Sequence, residues 1–264
     1  MSSMMQGKVA IVTGAGGGIG RDIALAMARE GAKLVVNDLG ASMAGEGANA
    51  GPAQQVADEI RAAGGEATAV RCDVSHLEDI EQLVETAHRT YGHVDVLVNN
   101  AALTYYVPIK DFPMKRFQKM LDIDITGPFL LAQAVIPDML EAGRGHIVNI
   151  SSLAARHPDG PPYQMAPRGG TTYGLVKAAI ERFSTGLAHE LYDNNIAVNS
   201  LAPTGIVASP GVMFHHLIES EDDPRAEPVD YMARAALILA TCDPKELTGR
   251  ICYSQSLLKK SGQL

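Results

Sequence analysis

Short apolar runs alternate along the chain with longer segments of helical period. The runs rich in β-branched residues predict strands at 8–14, 33–38, 67–74, 94–100, 145–151, 196–202 and 250–254. The intervening segments predict helices at 21–30, 53–63, 77–87, 114–141 (bent near Pro128), 171–192 and 229–241. Because the strands are apolar on both faces and alternate with helices, we expect a parallel sheet of about seven strands with helices on both faces.

The pattern predicts one domain over residues 1–264, because it contains no internal repeat, low-complexity tract or linker. Two segments stand outside the alternation, a loop at 153–170 and a polar, Pro-bearing irregular stretch at 204–228. Ligands of such sheets bind at the carboxyl ends of the strands. Both segments follow a strand end, and we therefore expect them near a ligand site.

Composition narrows the possible partners. The net charge of −8 argues against binding a nucleic-acid backbone, which needs a basic surface. The three cysteines have no metal-ligand spacing and fit a reducing compartment. The sequence shows no secretory signal, and we find no apolar stretch near the roughly 20 residues of a membrane span. We expect a cytoplasmic protein, by default and not from a positive signal.

A glycine-rich turn follows the first strand and precedes a helix, in the order Thr13-Gly14-Ala15-Gly16-Gly17-Gly18-Ile19-Gly20. Glycine lets a backbone approach a ligand closely, and a helix N-terminus attracts a pyrophosphate. Asp38 ends the second strand, where a carboxylate accepts hydrogen bonds from a ribose 2′-hydroxyl and repels a 2′-phosphate. Since no Lys or Arg lies between residues 34 and 60, we expect NAD and not NADP.

The chain resembles the short-chain dehydrogenase/reductase family, in its shorter single-domain branch, over essentially its whole length. The motifs that carry the resemblance occur in the family's order: TGxxxGxG at 13–20, Cys72-Asp73-Val74, Asn99-Asn100-Ala101, Ser151-Ser152, Tyr173-x-x-x-Lys177, and Asn199 to Pro203. The stretch from Val36 to Gly40 also looks like the NAD-dependent dehydrogenase domains of peroxisomal multifunctional enzymes. The resemblance implies a Rossmann-type doubly wound fold and hydride transfer between NAD(H) and an alcohol or ketone.

Roles for several residues come only from this resemblance. It implies that Asp73 hydrogen-bonds the adenine beside Val74, that Asn99 braces the sheet, and that Asn100 and Ala101 adjoin the adenosine. After Pro203, it implies that Val207 and Ser209 meet the nicotinamide carboxamide. Such enzymes commonly form dimers or tetramers through the helices at 114–141 and 171–192, and we expect a homodimer or homotetramer.

Tyr173 and Lys177 lie four residues apart on a predicted helix, so both project from one face. A free tyrosine has a pKa near 10, and a neighbouring ammonium favours the phenolate. Tyr173 can then exchange a proton with an alcohol or ketone oxygen. By the resemblance, Lys177 also binds the nicotinamide ribose. Tyr163 is a rival tyrosine, but Pro167 stands at the position where a cation would be needed.

The resemblance implies that Ser152 is the hydroxyl that polarises the substrate carbonyl, with Ser151 as its rival. The segment from Ser152 to Tyr173 is longer than usual in the family, and its loop either overhangs the active site or is a surface excursion without a role. The family's relay asparagine is replaced by Asp124, which can accept but, when ionised, cannot donate hydrogen bonds. We expect Asp124 to pair with Lys177, and Asp124→Asn to retain activity with a shifted pH profile.

The segment 204–228 lies where the family carries a substrate lid. Its apolar residues either cover a ligand or pack on their own domain, and further pocket residues follow the fourth strand: Met213, Phe214, Leu217 and Ile218, then Leu103, Tyr105, Tyr106 and Val107. These side chains suggest a hydrophobic substrate such as a sterol, terpenoid or hydroxyacyl compound. We expect no metal site, since His215-His216 has no third ligand at a plausible spacing. The alternative function is a catalytically idle dinucleotide sensor or binding module.

Overall fold

Seven parallel strands form the central sheet, in the order β3-β2-β1-β4-β5-β6-β9. The structure, a computed structural model, describes residues 3–42, 44–158, 160–161, 169–218, 220 and 222–264. Its strands are β1 (Val9–Val12), β2 (Lys33–Asn37), β3 (Glu66–Val70), β4 (Val96–Asn99), β5 (Gly145–Ile150), β6 (Ile196–Ala202), β7 (Ile206–Val207), β8 (Ala226–Glu227) and β9 (Ile251–Tyr253). The predicted doubly wound parallel sheet is confirmed.

Helices cover both faces of this sheet. They are α1 (Gly18–Arg29), α2 (Gly51–Ala62), α3 (Leu77–Tyr91), α4 (Met114–Leu121), α5 (Gly127–Ala142), α6 (Thr171–Leu191), α7 (Pro210–Phe214), α8 (Asp230–Thr241) and α9 (Ser254–Lys260). Successive strand side chains point to opposite faces, so Ala10 and Val12 join the core beneath α1, α2 and α8, whereas Ile11 joins the core beneath α3, α5 and α6. The strands are consequently apolar on both faces.

The single helix expected over 114–141 is present as one helical stretch, Met114–Ala142, but it contains a π-helical turn. A π-helical turn, Asp122–Thr126, separates α4 from α5. Pro128 follows this turn within the continuous helical stretch, and it has no N–H to donate to a carbonyl of the preceding turn. π-Helical turns are frequent at functional sites, and this one contains Asp124.

The irregular stretch expected over 204–228 contains regular structure. β7 and β8 pair as a separate parallel ribbon, with Ile206 opposite Ala226 and Val207 opposite Glu227. The short helix α7 begins at Pro210, next to Ser209, whose hydroxyl accepts the backbone N–H of Val212. Helix α9 was not predicted, because its seven residues are too few to show a helical period.

One continuous helical stretch, Met114–Ala142, is long and apolar enough to cross a membrane by length and composition alone. This differs from the expectation that no stretch approaches that length. The helix layer explains the composition, because Leu131, Ala132, Val135 and Met139 are buried in the core against the sheet. Core helices pass the same test, so the stretch is weak evidence for a membrane span.

Candidate active site

The carboxyl ends of β1, β2, β4, β5 and β6 meet at one edge of the sheet and surround a cavity of about 460 Å³. Ligand cavities in proteins commonly have volumes of 300–1,000 Å³. The wall includes most of the residues predicted from the sequence, namely Gly14, Gly18, Ile19, Asp38, Asp73, Val74, Asn100, Ala101, Ser152, Tyr173, Lys177, Pro203, Val207 and Ser209. Gly16, Gly20 and Asp124 are close to the cavity but do not line it.

The glycine turn is held by the chain segment after β4. Asn100 Nδ2 donates to the carbonyl oxygens of Thr13 (2.9 Å) and Gly14 (3.0 Å). Gly14 has φ +60°, and a Cβ there would lie 2.8 Å from Ala101 Cα. A Cβ on Gly20 would lie 2.3 Å from Asn100 Nδ2. Gly20 therefore permits this bracing and does not form the cavity wall, and Asn100 supports the turn besides lining the cavity.

Asp38 fixes the turn from the other side. Its Oδ2 accepts the backbone N–H of Gly16 at 2.8 Å, and its Oδ1 accepts that of Gly40 at 2.7 Å. The carboxylate still lines the cavity beside the N-terminus of α1. Farther along this wall, Asp73 accepts hydrogen bonds from the backbone N–H and hydroxyl of Ser75.

Lys177 is buried next to Tyr173 on α6. Its Nζ lies 5.7 Å from the centre of the Tyr173 ring and donates to the Ile150 carbonyl oxygen at 3.2 Å. The Tyr173 ring is half-buried and contacts the Tyr106 ring edge-on, with 5.8 Å between the centroids. The side chains at the predicted i, i+4 spacing thus meet at the cavity wall. The rival Tyr163 and its neighbour Pro167 lie outside the described residues.

Asp124 lies behind Lys177, with Oδ1 3.3 Å from Nζ and Oδ2 accepting the Leu103 N–H at 3.0 Å. Burial raises the pKa of the Asp124 carboxyl, although Lys177 and the Leu103 N–H oppose this. Burial by itself lowers the pKa of the Lys177 ammonium, but the charges of Asp124 and Tyr173 outweigh it, and the pKa lies above its usual value. The two side chains form a buried ion pair beneath Tyr173.

The two serines after β5 have different surroundings. Ser151 is buried and donates to Glu181 Oε1 at 2.8 Å. Ser152 accepts the Ala154 N–H at 3.2 Å, and its own proton has no acceptor within the described residues. A hydroxyl that polarises a carbonyl must donate its proton. The geometry therefore favours Ser152 over Ser151 for that role. The loop that begins at 153 is only partly covered, because 159 and 162–168 lie outside the described residues.

The lid and pocket residues divide into two groups. Leu103, Tyr106 and Leu217 line the cavity. The other expected pocket residues do not: Phe214 is half-exposed, Ile218 is buried in packing, and Met213, Tyr105 and Val107 also lie off the wall. Packing on their own domain is the better interpretation for Ile218, Tyr105 and Val107, whereas the Phe214 side chain is half-exposed to solvent.

The sequence did not predict Lys119, His215 or Glu227 as residues of the site, although His215 was considered as a metal ligand. Lys119 lines the cavity and donates to the Gly45 carbonyl oxygen. His215 lines it as well, its ring 5.1 Å from that of Tyr106, and burial lowers its pKa. Glu227 is buried below the lid and accepts four groups of hydrogen-bond donors. None of the three belongs to a local sequence motif. A possible signal was the position of Glu227 at the end of the polar segment 204–228.

The hydrogen bonds that Glu227 accepts join its own strand, β8, to two other parts of the chain. Its carboxylate accepts the backbone N–H groups of Thr204 (3.1 Å) and Gly205 (2.9 Å), which follow β6. It also accepts the hydroxyl of Ser254 (2.7 Å) and the amide of Gln255 (3.1 Å) at the start of α9. Glu227 thereby holds the base of the segment 204–228 to the C-terminal helix.

A nicotinamide dinucleotide fits this cavity. The first residues of α1, Gly18 and Ile19, offer a helix N-terminus for a pyrophosphate, and the Asp38 carboxylate stands where a ribose hydroxyl would bind. The opposite end holds Tyr173 and Lys177 beside Ser152. The cavity thus combines a diphosphate cradle with an acid–base group at its two ends.

Comparisons with known proteins agree with this arrangement. The family model "short chain dehydrogenase" matches residues 8–215. The 7alpha-hydroxysteroid dehydrogenase of Escherichia coli (strain K12) is 34% identical over 254 residues, which cover 94% of this chain and 92% of that protein. A solved 7 alpha-hydroxysteroid dehydrogenase, complexed with NADH and 7-oxo glycochenodeoxycholic acid, has TM-score 0.79 and 33% identity and covers 96% of this chain and 94% of its own.

A second solved structure binds the other dinucleotide. This protein of Beutenbergia cavernae is described as NAD(P) dependent and carries NADP at low occupancy. Its TM-score is 0.80 at 28% identity, and the match covers 96% of this chain and 97% of that one. The fold, the cavity at the strand ends and the extent of these matches lead to one conclusion: the chain belongs to the short-chain dehydrogenase/reductase family of nicotinamide dinucleotide-dependent oxidoreductases.

Proposed function

We propose that this protein interconverts a hydrophobic secondary alcohol and its ketone with NAD(H), using Tyr173 as the acid–base group. The observation that carries the proposal is that one cavity wall contains Tyr173, the buried Lys177, and Ser152, whose hydroxyl proton has no acceptor among the described residues. An idle binding module has no need of this arrangement, and the relatives named above are dehydrogenases.

In alcohol oxidation the substrate loses a hydride from carbon and a proton from oxygen. The bound nicotinamide supplies the hydride acceptor, or the donor in the reverse direction. Tyr173 Oη takes the alcohol proton, and returns a proton to the carbonyl oxygen during reduction. Ser152 donates a hydrogen bond to that oxygen, and the Lys177 ammonium stabilises the negative charge of the phenolate. Asp124 touches neither reactant and acts as a positioning residue for Lys177.

Tyr106 offers a matched control for the role of Tyr173, because both phenols line the cavity with their rings in contact. Burial and the neighbouring Tyr173 raise the pKa of the Tyr106 phenol, so it stays protonated at neutral pH and cannot accept the alcohol proton. We expect Tyr173→Phe to lower kcat by at least about 100-fold and Tyr106→Phe to retain turnover within about fivefold. Wild-type turnover in Tyr173→Phe, measured by NADH fluorescence, would reject the proposed chemistry.

The preference for NAD rests on Asp38. Its carboxylate is held by the Gly16 and Gly40 N–H groups, and a 2′-phosphate at the same place would meet its negative charge. Lys119 is a cation of the cavity wall, but it is engaged by the Gly45 carbonyl. We expect titration of NADH fluorescence to give a lower Kd for NADH than for NADPH. NADPH binding at least as tight as that of NADH would contradict this preference.

The substrate class follows from the apolar and aromatic residues of the cavity wall. Leu103, Tyr106 and Leu217 line it with apolar or aromatic side chains, together with Val212 of α7. These surfaces favour a hydrophobic alcohol or ketone such as a sterol, terpenoid or hydroxyacyl compound, and the relative named for hydroxysteroids supports the first of these. A screen of hydrophobic secondary alcohols with NAD, followed at the NADH emission, tests the class directly.

We further propose that the protein is a homodimer or homotetramer. Phe129 of α5 and Leu175 of α6 are each 50% exposed, and Phe129 packs against Phe183 with 6.2 Å between ring centroids. Exposed apolar side chains on two neighbouring helices favour coverage by a second copy of the chain.

A further inference from the structure

The segment between β2 and α2 reaches across to the segment after β4. Tyr105 Oη donates to the Ala44 carbonyl oxygen at 3.0 Å, and Lys119 Nζ donates to that of Gly45. Leu103 packs beside the same place, since a Cβ on Gly45 would lie 2.9 Å from Leu103 Cδ1. We call residues 44–46 the strap. Two side-chain hydrogen bonds and one apolar contact thus attach the strap to the opposite side of the cleft.

Strand order determines what lies below the strap. β1 is between β2 and β4 in the sheet, so a bridge from the end of β2 to the end of β4 passes over the end of β1. The glycine turn and the N-terminus of α1 are at that end, and this is the place for a pyrophosphate. Gly45 and Lys119 line the same cavity as Gly17 and Gly18. The strap therefore spans the cleft in which a dinucleotide fits.

The base of this segment is fixed by backbone hydrogen bonds, and its tip is held by Tyr105 and Lys119. At the base, Asp38 accepts the Gly40 N–H at 2.7 Å, and Leu39 accepts the Asn49 N–H at 2.9 Å. Within the segment, Ser42 exchanges backbone hydrogen bonds with Gly45 and Glu46, each 2.8 Å long. These bonds tie the strap to the base of its own segment. Among the described residues, the side-chain hydrogen bonds that attach the strap to the other side of the cleft are those of Tyr105 and Lys119.

We infer that the strap closes over the bound nicotinamide dinucleotide and that Tyr105 and Lys119 are positioning residues that hold it shut, so that opening of the strap limits dinucleotide release. The inference rests on the dinucleotide site of the proposed function. It assigns to the β2–α2 segment a kinetic role in retaining the dinucleotide, in addition to the ribose contact expected of Asp38.

The test measures NADH release from the intact protein. Enzyme with bound NADH is mixed rapidly with excess NAD, and the fall in NADH fluorescence gives the dissociation rate. We expect Tyr105→Phe and Lys119→Met each to raise this rate about fivefold to tenfold, as the loss of one hydrogen bond predicts. Tyr105→Phe changes no charge, so its effect separates loss of the strap contact from loss of attraction to the pyrophosphate. Lys115→Met, at an exposed lysine one turn earlier, is the control and should release NADH at the wild-type rate.

A pair of glycine variants tests the contact without removing a polar group. Gly45 has φ +77° and Gly47 has φ +76°, so alanine strains the backbone similarly at either position. Only at Gly45 would the new methyl group meet Leu103, because a Cβ on Gly47 has no atom within 4 Å. We expect Gly45→Ala to accelerate NADH release more than Gly47→Ala.

The outcomes separate this inference from the function on which it rests. If the wild type binds NADH and the Tyr105, Lys119 and Gly45 variants all release it at the wild-type rate, the strap inference is overturned while the dinucleotide site stands. Equal acceleration in Gly45→Ala and Gly47→Ala, with no effect of Tyr105→Phe, also overturns it. A wild-type protein that binds no NADH would overturn both proposals.

Discussion

At the scale of single residues, Lys177 contacts both the buried carboxylate of Asp124 and the Tyr173 ring at the cavity wall. It lies between Asp124, which is shielded from solvent, and Tyr173, which lines the cavity. Burial would lower the pKa of Lys177, but Asp124 and Tyr173 together raise it. Because a raised pKa keeps an amine protonated to higher pH, the pair with Asp124 extends the range over which Lys177 is an ammonium.

Asp124→Asn tests this extension. The amide removes the negative charge, so the pKa of Lys177 should fall and the ammonium should be lost at lower pH. We expect kcat to remain within about tenfold of wild type, and the alkaline limb of the kcat/KM profile to move to lower pH. Asp122→Asn, which changes a carboxylate of the same π-helical turn that pairs with Gln118, should leave the limb in place. A complete loss of turnover, or an unmoved alkaline limb, would show that the position is misinterpreted.

The sequence predicts the pairing of Tyr173 with Lys177 more directly than it predicts their contacts with other residues of the site. Tyr173 and Lys177 are four residues apart on one helix, so helical geometry alone brings their side chains to one face. Their relation to Asp124 and to Ser152 was expected only from the family resemblance. The contact of Ser151 with Glu181 had no local signal, because it joins a strand end to the middle of a helix.

At the scale of secondary-structure elements, the buried carboxylate of Glu227 links the start of the segment 204–228 to α9. Glu227 of β8 accepts hydrogen bonds from the start of the lid segment and from the N-terminus of α9. Hydrogen bonds to a charged group contribute about 1.5–3 kcal/mol each when the group is well placed. The position of Pro203 and Val207 in the cavity wall consequently depends on this carboxylate.

Glu227→Gln keeps the size of the side chain but turns one acceptor into a donor that faces other donors. We expect the free energy of unfolding to fall by about 2 kcal/mol and Tm to fall by several degrees. We also expect NADH to bind more weakly, since the segment after β6 is loosened. Glu190→Gln, at an exposed position of α6, is the control and should match the wild type in both measurements. An unchanged Tm in Glu227→Gln would contradict the role assigned to this residue.

Element boundaries followed from the sequence where the apolar pattern was long. β6 begins and ends where it was predicted, and most other strands and helices differ by a few residues. The elements that escaped prediction are short or atypical, namely the π-helical turn, the β7–β8 ribbon, α7 and α9. Their formation depends on tertiary contacts such as those of Glu227 and not on a repeating apolar pattern.

At the scale of the whole molecule, α5 and α6 each carry an apolar side chain that is half-exposed to solvent. Phe129 and Leu175 are half-exposed, whereas the opposite sides of α5 and α6 are buried in the core. The exposed side of α5 also explains why a helix that packs on the sheet has the composition of a membrane span. A second copy of the chain would bury both side chains.

Charged substitutions test this association. We expect the wild type to elute from a sizing column as a homo-oligomer, with its mass given by light scattering. Leu175→Arg or Phe129→Arg should shift the mass toward smaller species, since a buried unpaired charge costs several kcal/mol. Ile109→Arg replaces another exposed apolar side chain, outside both helices, and should leave the mass unchanged. A monomeric wild type would contradict the proposal.

The parallel sheet was predictable because strands apolar on both faces need helices on both sides. The order of its strands was not, since no periodic pattern says that β1 lies between β2 and β4. That order decides which loops meet above the cavity. The contacts of Tyr105 with Ala44 and of Lys119 with Gly45 therefore became visible only in three dimensions.

Pairing of β7 with β8 brings the two ends of the lid segment side by side. The two strands are parallel, so the chain between them must cross back from the end of β7 to the start of β8. Ser209, Val212 and Leu217 of this crossover line the cavity, while Glu227 holds its base. A segment from another family member that keeps the same crossover could be exchanged between Val207 and Ala226. Together with Leu103 and Tyr106, which line the same cavity, this exchangeable piece of chain would then set the substrate range.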